Sequence, residues 1–251
     1  MDLPTSFYIA SIIAILITGI SKSGFGGGLG VMAVPIMSLF VAPQFAAAVM
    51  MPILLAMDVL IVWRYRWSWS RPIVWSLLPS ALVGLGLGAL VFQHMQADVV
   101  RFLIGVLALF FVAQFLMQRR KATSSKATPT AIVWFLGALS GFASFVAHAG
   151  GPPVKGYLLS QNLDKTVFVG TNTVFFFSLN SIKTLAYGSA GMLNPQSLTV
   201  SLLIAPCLFL GVFIGTRLHH VVDQAVFVKI VYGFLTLAGA KLLWDSVPTF
   251  V

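Results

Sequence analysis

A chain of 251 residues with 59% hydrophobic and only 8% charged positions cannot be an ordinary soluble domain, where about a quarter of the residues carry charge. Its mean hydropathy is +0.97, and apolar runs recur from end to end, which predicts a single membrane domain over residues 1–251. The net charge of +9 does not point to nucleic acid, because Lys and Arg cluster in short loops between the apolar runs, the pattern that encodes membrane orientation.

The first apolar run, residues 5–20, ends at Ser21-Lys22-Ser23-Gly24-Phe25-Gly26-Gly27-Gly28-Leu29-Gly30, and a shorter run follows over 29–41. Glycine lets a backbone leave helical geometry and approach a ligand closely. The stretch is expected to be unwound backbone at membrane depth, which a bilayer tolerates only beside protein or a wet cavity. A full span over 45–63 contains Asp58. Arg64, Arg66 and Arg71 then flank Trp67 and Trp69, an aromatic belt expected on the cytoplasmic side. Spans follow at 72–92, where Gly84, Gly86 and Gly88 would permit close helix contact, and at 99–118. Residues 119–130 form a basic connector, Arg119 to Lys126 being its most polar part.

The second half repeats this plan. A run over 131–146 leads to Ala147-His148-Ala149-Gly150-Gly151-Pro152-Pro153-Val154-Lys155-Gly156, then come a short apolar arm near 157–159 and spans at 166–187, 197–218 and 225–244. Pro79, Gly84 and Gly88 fall on Pro206, Gly211 and Gly215 at one offset of 127. The loop after 45–63 carries three arginines, whereas its counterpart 188–196 carries no Lys or Arg. One loop is therefore expected inside and the other outside. The expected fold is an all-α integral membrane protein of two inverted-topology repeats, 5–118 and 131–246, with a cytoplasmic linker over 119–130. Each repeat would be a helical hairpin with a Gly-rich break plus three transmembrane helices, eight to ten membrane segments in total, with both termini external. No basic n-region and small-residue cleavage site precede the first run, so no cleaved signal is expected.

Gly170-Thr171-Asn172-Thr173, Phe175-Phe176-Phe177, Asn180-Ser181-Ile182-Lys183 and Ala238-Gly239-Ala240-Lys241-Leu242-Leu243, together with the two breaks, resemble the sulfite exporter TauE/SafE family over nearly the whole chain. The family shows a GGG-like break in both halves; here the second reads His148-Ala149-Gly150-Gly151-Pro152-Pro153. The resemblance implies export or uptake of sulfite and small organosulfonates across the bacterial inner membrane, with other anions open.

Independently of that resemblance, helices beginning at Leu29 and Val154 would aim free N–H groups and positive dipole ends at a small oxyanion. The candidate substrate-binding residues are Ser21, Lys22, Ser23, Gly24, Gly26, Gly27 and Gly28 at the first break, and His148, Gly150, Gly151 and Lys155 at the second. Asn172, Asn180 and Lys183 on the following span complete them. Lys22 and Lys155 serve equally as snorkelling side chains. Lys183 lies well inside its span, where a charge costs about 2.5–3.5 kcal/mol unless compensated, and Asp58 holds the matching place in the first half at an offset of 125. An Asp58/Lys183 pair is expected, in a structural role or in substrate and proton coupling. His148 is open to proton coupling or to a structural hydrogen bond.

The partners expected are a small anion and the bilayer, with proton or other ion coupling and homo-oligomer formation both open. Cys207, the single cysteine, lies in an apolar run, so neither a disulfide nor a Cys-based metal site is expected. Zinc-protease, Walker and nucleophile-elbow patterns are missing from a chain with six acidic residues, so neither catalysis nor a cofactor is expected. An anion channel of the same architecture competes with a secondary transporter, and a membrane enzyme or assembly factor is a third possibility.

Single cysteines at positions 67, 122 and 192 in a Cys207→Ala background test the orientation with an impermeant thiol reagent. Positions 67 and 122 should label from the cytoplasmic side and position 192 from the opposite side; same-side labelling of all three would remove the inverted arrangement.

Overall fold

The computed structural model describes residues 3–24, 30–92, 94–118, 128–218 and 224–249. Among them the secondary structure is helical throughout. Helix α1 (Thr5–Gly24) runs four residues beyond the expected end of its apolar run, into the first break. Phe25 to Leu29, including Gly26, Gly27 and Gly28, lie outside the described residues, as do residues 119–127 of the linker. A single 3-10 turn (Gly30–Met32) and the five-residue α2 (Ala33–Met37) follow. Helices α3 (Pro43–Tyr65), α4 (Arg71–Phe92) and α5 (Ala97–Gln118) complete the first half.

The second half contains α6 (Thr130–Ala147), the ten-residue α7 (Gly151–Ser160) and α8 (Lys165–Ser189). Then come α9 (Pro195–Ile204), α10 (Pro206–Leu218) and α11 (Gln224–Ser246), closed by a 3-10 turn at Val247–Thr249. The expected single span over 197–218 is broken, α9 and α10 meeting at 42°. Pro206 explains the break: it has no N–H to donate and its ring crowds the preceding turn. Side chains start two helices cleanly. Asp164 accepts from Thr166 N at 2.8 Å ahead of α8, a bond that holds its carboxyl below the usual range, and Asn194 accepts from Ser197 N at 2.9 Å ahead of α9.

Among the described residues, helices α1, α3, α4, α5 and α6 are long and apolar enough to cross a bilayer, and the bent α9–α10 pair makes a sixth candidate span. Helix α8 has ample length, 25 residues, but Thr171, Asn172, Thr173, Asn180 and Lys183 dilute its apolar character. The surface is apolar where a soluble protein would be polar: Leu90, Leu185, Leu202, Leu237 and Phe135 are all at least 65% exposed. Buried positions hold Asp58, Asn172, Asn180, Lys183 and a series of serines. This inverted distribution fits lipid outside and a polar interior. At one end Arg66 lies 4.6 Å from the ring of Trp63 and 5.8 Å from that of Trp67, which is 85% exposed, as suits a membrane–water interface.

Each half contributes its first helix to the other half's fourth element: α1 packs on α10, and α6 packs on α4. Helices α3 and α8 face each other, as do α5 and α11. Small residues bring the backbones together. A Cβ on Gly84 would collide with the Ala138 carbonyl, one on Gly88 would lie 2.8 Å from Phe145 Cβ, and one on Gly211 would lie 3.1 Å from Leu16 O. Gly86, expected to share this role, faces open space.

Gly84→Val should lower the melting temperature of the purified protein by several degrees, corresponding to about 1–3 kcal/mol of overpacking. Gly86→Ala should leave it unchanged or raise it slightly, because alanine loses less backbone freedom on forming helix. Equal effects of the two substitutions would show that α4 does not meet α6 through Gly84.

A buried cavity where both breaks meet

At about 1.5 Å per residue, the ten residues of α7 span roughly 15 Å, half the hydrocarbon thickness. Helix α7 packs back against α6, and Gly151, Pro152, Pro153, Val154 and Leu158 are buried. Helix α7 by itself is therefore too short to cross the bilayer. The turn before it depends on His148, whose φ of 52° and ψ of 28° lie in the left-handed region, a conformation that costs a side-chain-bearing residue roughly 1–2 kcal/mol. Glycine is the residue that takes positive φ most readily, yet Gly150 has φ −70°. Gly150 is required for space: a Cβ there would lie 2.6 Å from Ser140 O, while Ser140 Oγ donates to the Gly150 carbonyl at 2.7 Å.

The left-handed turn carries the imidazole inward. Its Nε2 lies 2.8 Å from Ala47 O and its Nδ1 lies 2.7 Å from Lys183 Nζ. A carbonyl oxygen only accepts, so Nε2 carries the hydrogen and Nδ1 accepts from Lys183. Lys183, fully buried, also donates to Ser144 O at 2.9 Å and Ser144 Oγ at 3.1 Å. Its three N–H groups thus have three acceptors. From the other half, Lys22 in the last turn of α1, where the helix dipole favours a cation, donates to Asp58 Oδ1 at 2.5 Å. Asn180 Nδ2 donates to Asp58 Oδ2 at 2.6 Å. The Asp58/Lys183 pair expected from sequence is thereby corrected: Asp58 bonds Lys22 and Asn180, while Lys183 bonds Ser144 and His148. Helix α1 delivers an ammonium to the carboxylate first, and one turn of α8 separates Asn180 from Lys183.

These side chains border a cavity of about 40 Å³, room for on the order of three waters. Lys22, Ser144, His148, Asn180 and Lys183 form its polar wall, and Val31, Leu54 and Phe176 its apolar one. Gly30 and Gly151 bring backbone from each break to the same space. Five sequence candidates therefore meet there: Lys22, His148, Gly151, Asn180 and Lys183.

Other candidates lie elsewhere. Ser23 Oγ donates to Gly19 O and to Val212 O, joining α1 to α10. Ser21 is buried in α1, Gly24 ends that helix, and Lys155 lies a turn along α7, all outside the lining. Asn172 is eight residues before Asn180, about 12 Å along α8, in a motif that supports the arginine loop. There the Thr171 hydroxyl accepts from Ser70 N at 2.8 Å, and Gly170 leaves room for the Ser68 carbonyl. Lys241 pairs with Asp245 on the outer helix α11. Sequence reasoning missed Ser144, whose position one turn before His148 was the available signal, and Ala47 O, which as main chain gave none.

The expected helix-dipole geometry also needs correction. The first break leads only to a 3-10 turn and the five-residue α2, too short to act as a dipole. At α7, Pro152 and Pro153 occupy two of the first helical positions and have no N–H, so few of the usual free donors remain. The cationic side chains on the cavity lining are Lys22 and Lys183.

The fold defines a polytopic α-helical membrane protein whose interior cavity is lined by two lysines, Lys22 and Lys183. A family model described as sulfite exporter TauE/SafE matches residues 11–242, and the chain belongs to that family. No curated protein and no solved structure matches it.

Lys22→Met should strip Asp58 of its counter-ion and lower stability by about 3–5 kcal/mol, whereas Lys22→Met with Asp58→Leu should recover much of the loss. Melting curves of the two variants provide the check; a single substitution without effect would mean that the pair does not hold α1 to α3.

Proposed function

We propose that the chain is a secondary transporter that exports small sulfur-containing oxyanions, such as sulfite or organosulfonates, by alternating access. Membership of the sulfite exporter family supports a membrane transporter. The observation that carries the substrate assignment is the convergence of Lys22 and Lys183, one from each half, on the lining of one small cavity, with Asp58 behind that lining, bonded to Lys22 and Asn180. A sulfonate or sulfite oxygen can accept from Lys22, Lys183 and Asn180 on one side while Leu54, Val31 and Phe176 receive its apolar part.

The repeats, 5–118 and 131–246, would have inverted topology, with linker 119–130 cytoplasmic, both termini external and the bacterial inner membrane as location. Support comes from the exchange of partners, α1 with α10 and α6 with α4, and from the arginine bias of the loops. Because the opening helix of each half packs on the other half, a rocking body would contain elements of both. Inward and outward access to the cavity would then alternate as α1 with α10 moves against α6 with α4.

Proteoliposomes loaded with sulfite provide the test. Wild-type protein should release it with saturable kinetics. Lys183→Met should reduce that flux at least tenfold, while Lys126→Met in the linker should retain it. Equal losses, or flux that rises without saturation, would overturn a carrier centred on Lys183.

A further inference from the structure

We propose that the cavity selects singly charged oxyanions over doubly charged ones, and that the bonded Lys183–His148 couple, balanced against Lys22–Asp58, sets that limit. This rests on the cavity being the substrate site.

The argument is a count of fixed charge. Lys22 on the lining and Asp58 directly behind it form an ion pair at 2.5 Å that contributes no net charge, and Asn180, bonded to the other carboxylate oxygen, holds Asp58 in place. Lys183 has three acceptors, two of them oxygens of Ser144 and the third His148 Nδ1, which is the environment of an ammonium. His148 is held neutral by geometry. Its Nε2–H is committed to Ala47 O at 2.8 Å, and a second proton on Nδ1 would point at Lys183 Nζ from 2.7 Å. Two cations cannot keep that bond, so the couple carries one proton between its two nitrogens and not two.

The cavity thus holds one positive charge in excess. The remaining neighbours do not alter the sum. Tyr187, whose ring lies 6.0 Å from the imidazole, donates its hydroxyl to Phe145 O at 2.5 Å; Lys155 on α7 is outside the lining; and residues 25–29 contain no ionisable side chain. A sulfonate or hydrogensulfite brings the total to zero. A dianion such as sulfate leaves one negative charge uncompensated at membrane depth, where charge is expensive.

Purified full-length protein in nanodiscs, titrated at neutral pH with methanesulfonate and with sulfate, tests the proposal by calorimetry and by thermal shift. Methanesulfonate should bind at least tenfold tighter than sulfate. Asp58→Asn adds one positive charge to the cavity and should move the ratio of the two affinities at least tenfold towards sulfate. A purely structural fault at Asp58 would weaken both anions alike and leave that ratio unmoved. A wild-type ratio below tenfold overturns the charge limit while leaving an anion site in place. So does a folded Asp58→Asn protein that binds methanesulfonate with the ratio unchanged. Should Asp58→Asn not fold, the wild-type ratio alone decides. Failure of the wild-type protein to bind either anion overturns both the charge limit and the anion site beneath it.

Discussion

A carboxylate and two ammonium groups at membrane depth must be compensated by one another, and the arrangement of this protein's interior depends on how that is done. Asp58 is 1% exposed and Lys183 fully buried, so neither can relax into solvent. Asp58 therefore draws Lys22 from the end of α1 and Asn180 from α8, tying three helices to one point. Lys183, left without a carboxylate, takes its acceptors from the end of α6 and from the imidazole beyond it.

Corresponding positions in the two halves do the same geometric work with different charge. Lys22 and His148 are 126 positions apart, and Asp58 and Lys183 are 125 apart. In each half a residue at the end of the opening helix bonds a residue deep in the third helix: ammonium to carboxylate in the first, imidazole to ammonium in the second. Such a correspondence is what duplication followed by divergence of side chains would leave. The divergence matters physically, because two copies of the first pair would make the cavity neutral. The excess positive charge arises from the difference between the halves.

Around this centre the packing is close and depends on missing side chains. Gly84, Gly88 and Gly141 bring α4 and α6 together, and Gly19, Gly211 and Gly215 do the same for α1 and α10. In lipid there is no hydrophobic force to drive helices together, so close backbone approach and van der Waals contact must hold them. Both interfaces join the two halves, as do the contacts of α3 with α8 and of α5 with α11.

Composition and periodicity by themselves determined that this chain enters a membrane as helices, where the long apolar runs lie, and that two glycine-rich interruptions matter. Those properties depend on local hydrophobicity and on glycine and proline geometry, which sequence displays directly. Lys183 and Asp58 were also legible, because a charge inside an apolar run demands a partner wherever it ends up. Only the tertiary structure decided which partners they take. Lys22 reaches Asp58 because α1 continues as helix through Ser21 to Gly24, past the end of its apolar run. His148 rather than a glycine adopts the left-handed turn, an outcome fixed by the fit of Gly150 against Ser140 and by the Ala47 carbonyl across the interface. Ser23, Lys155 and Asn172 looked equivalent to the cavity residues in sequence. Their separation from it follows from helical phase and from the packing of α1, α7 and α8, which no local pattern records.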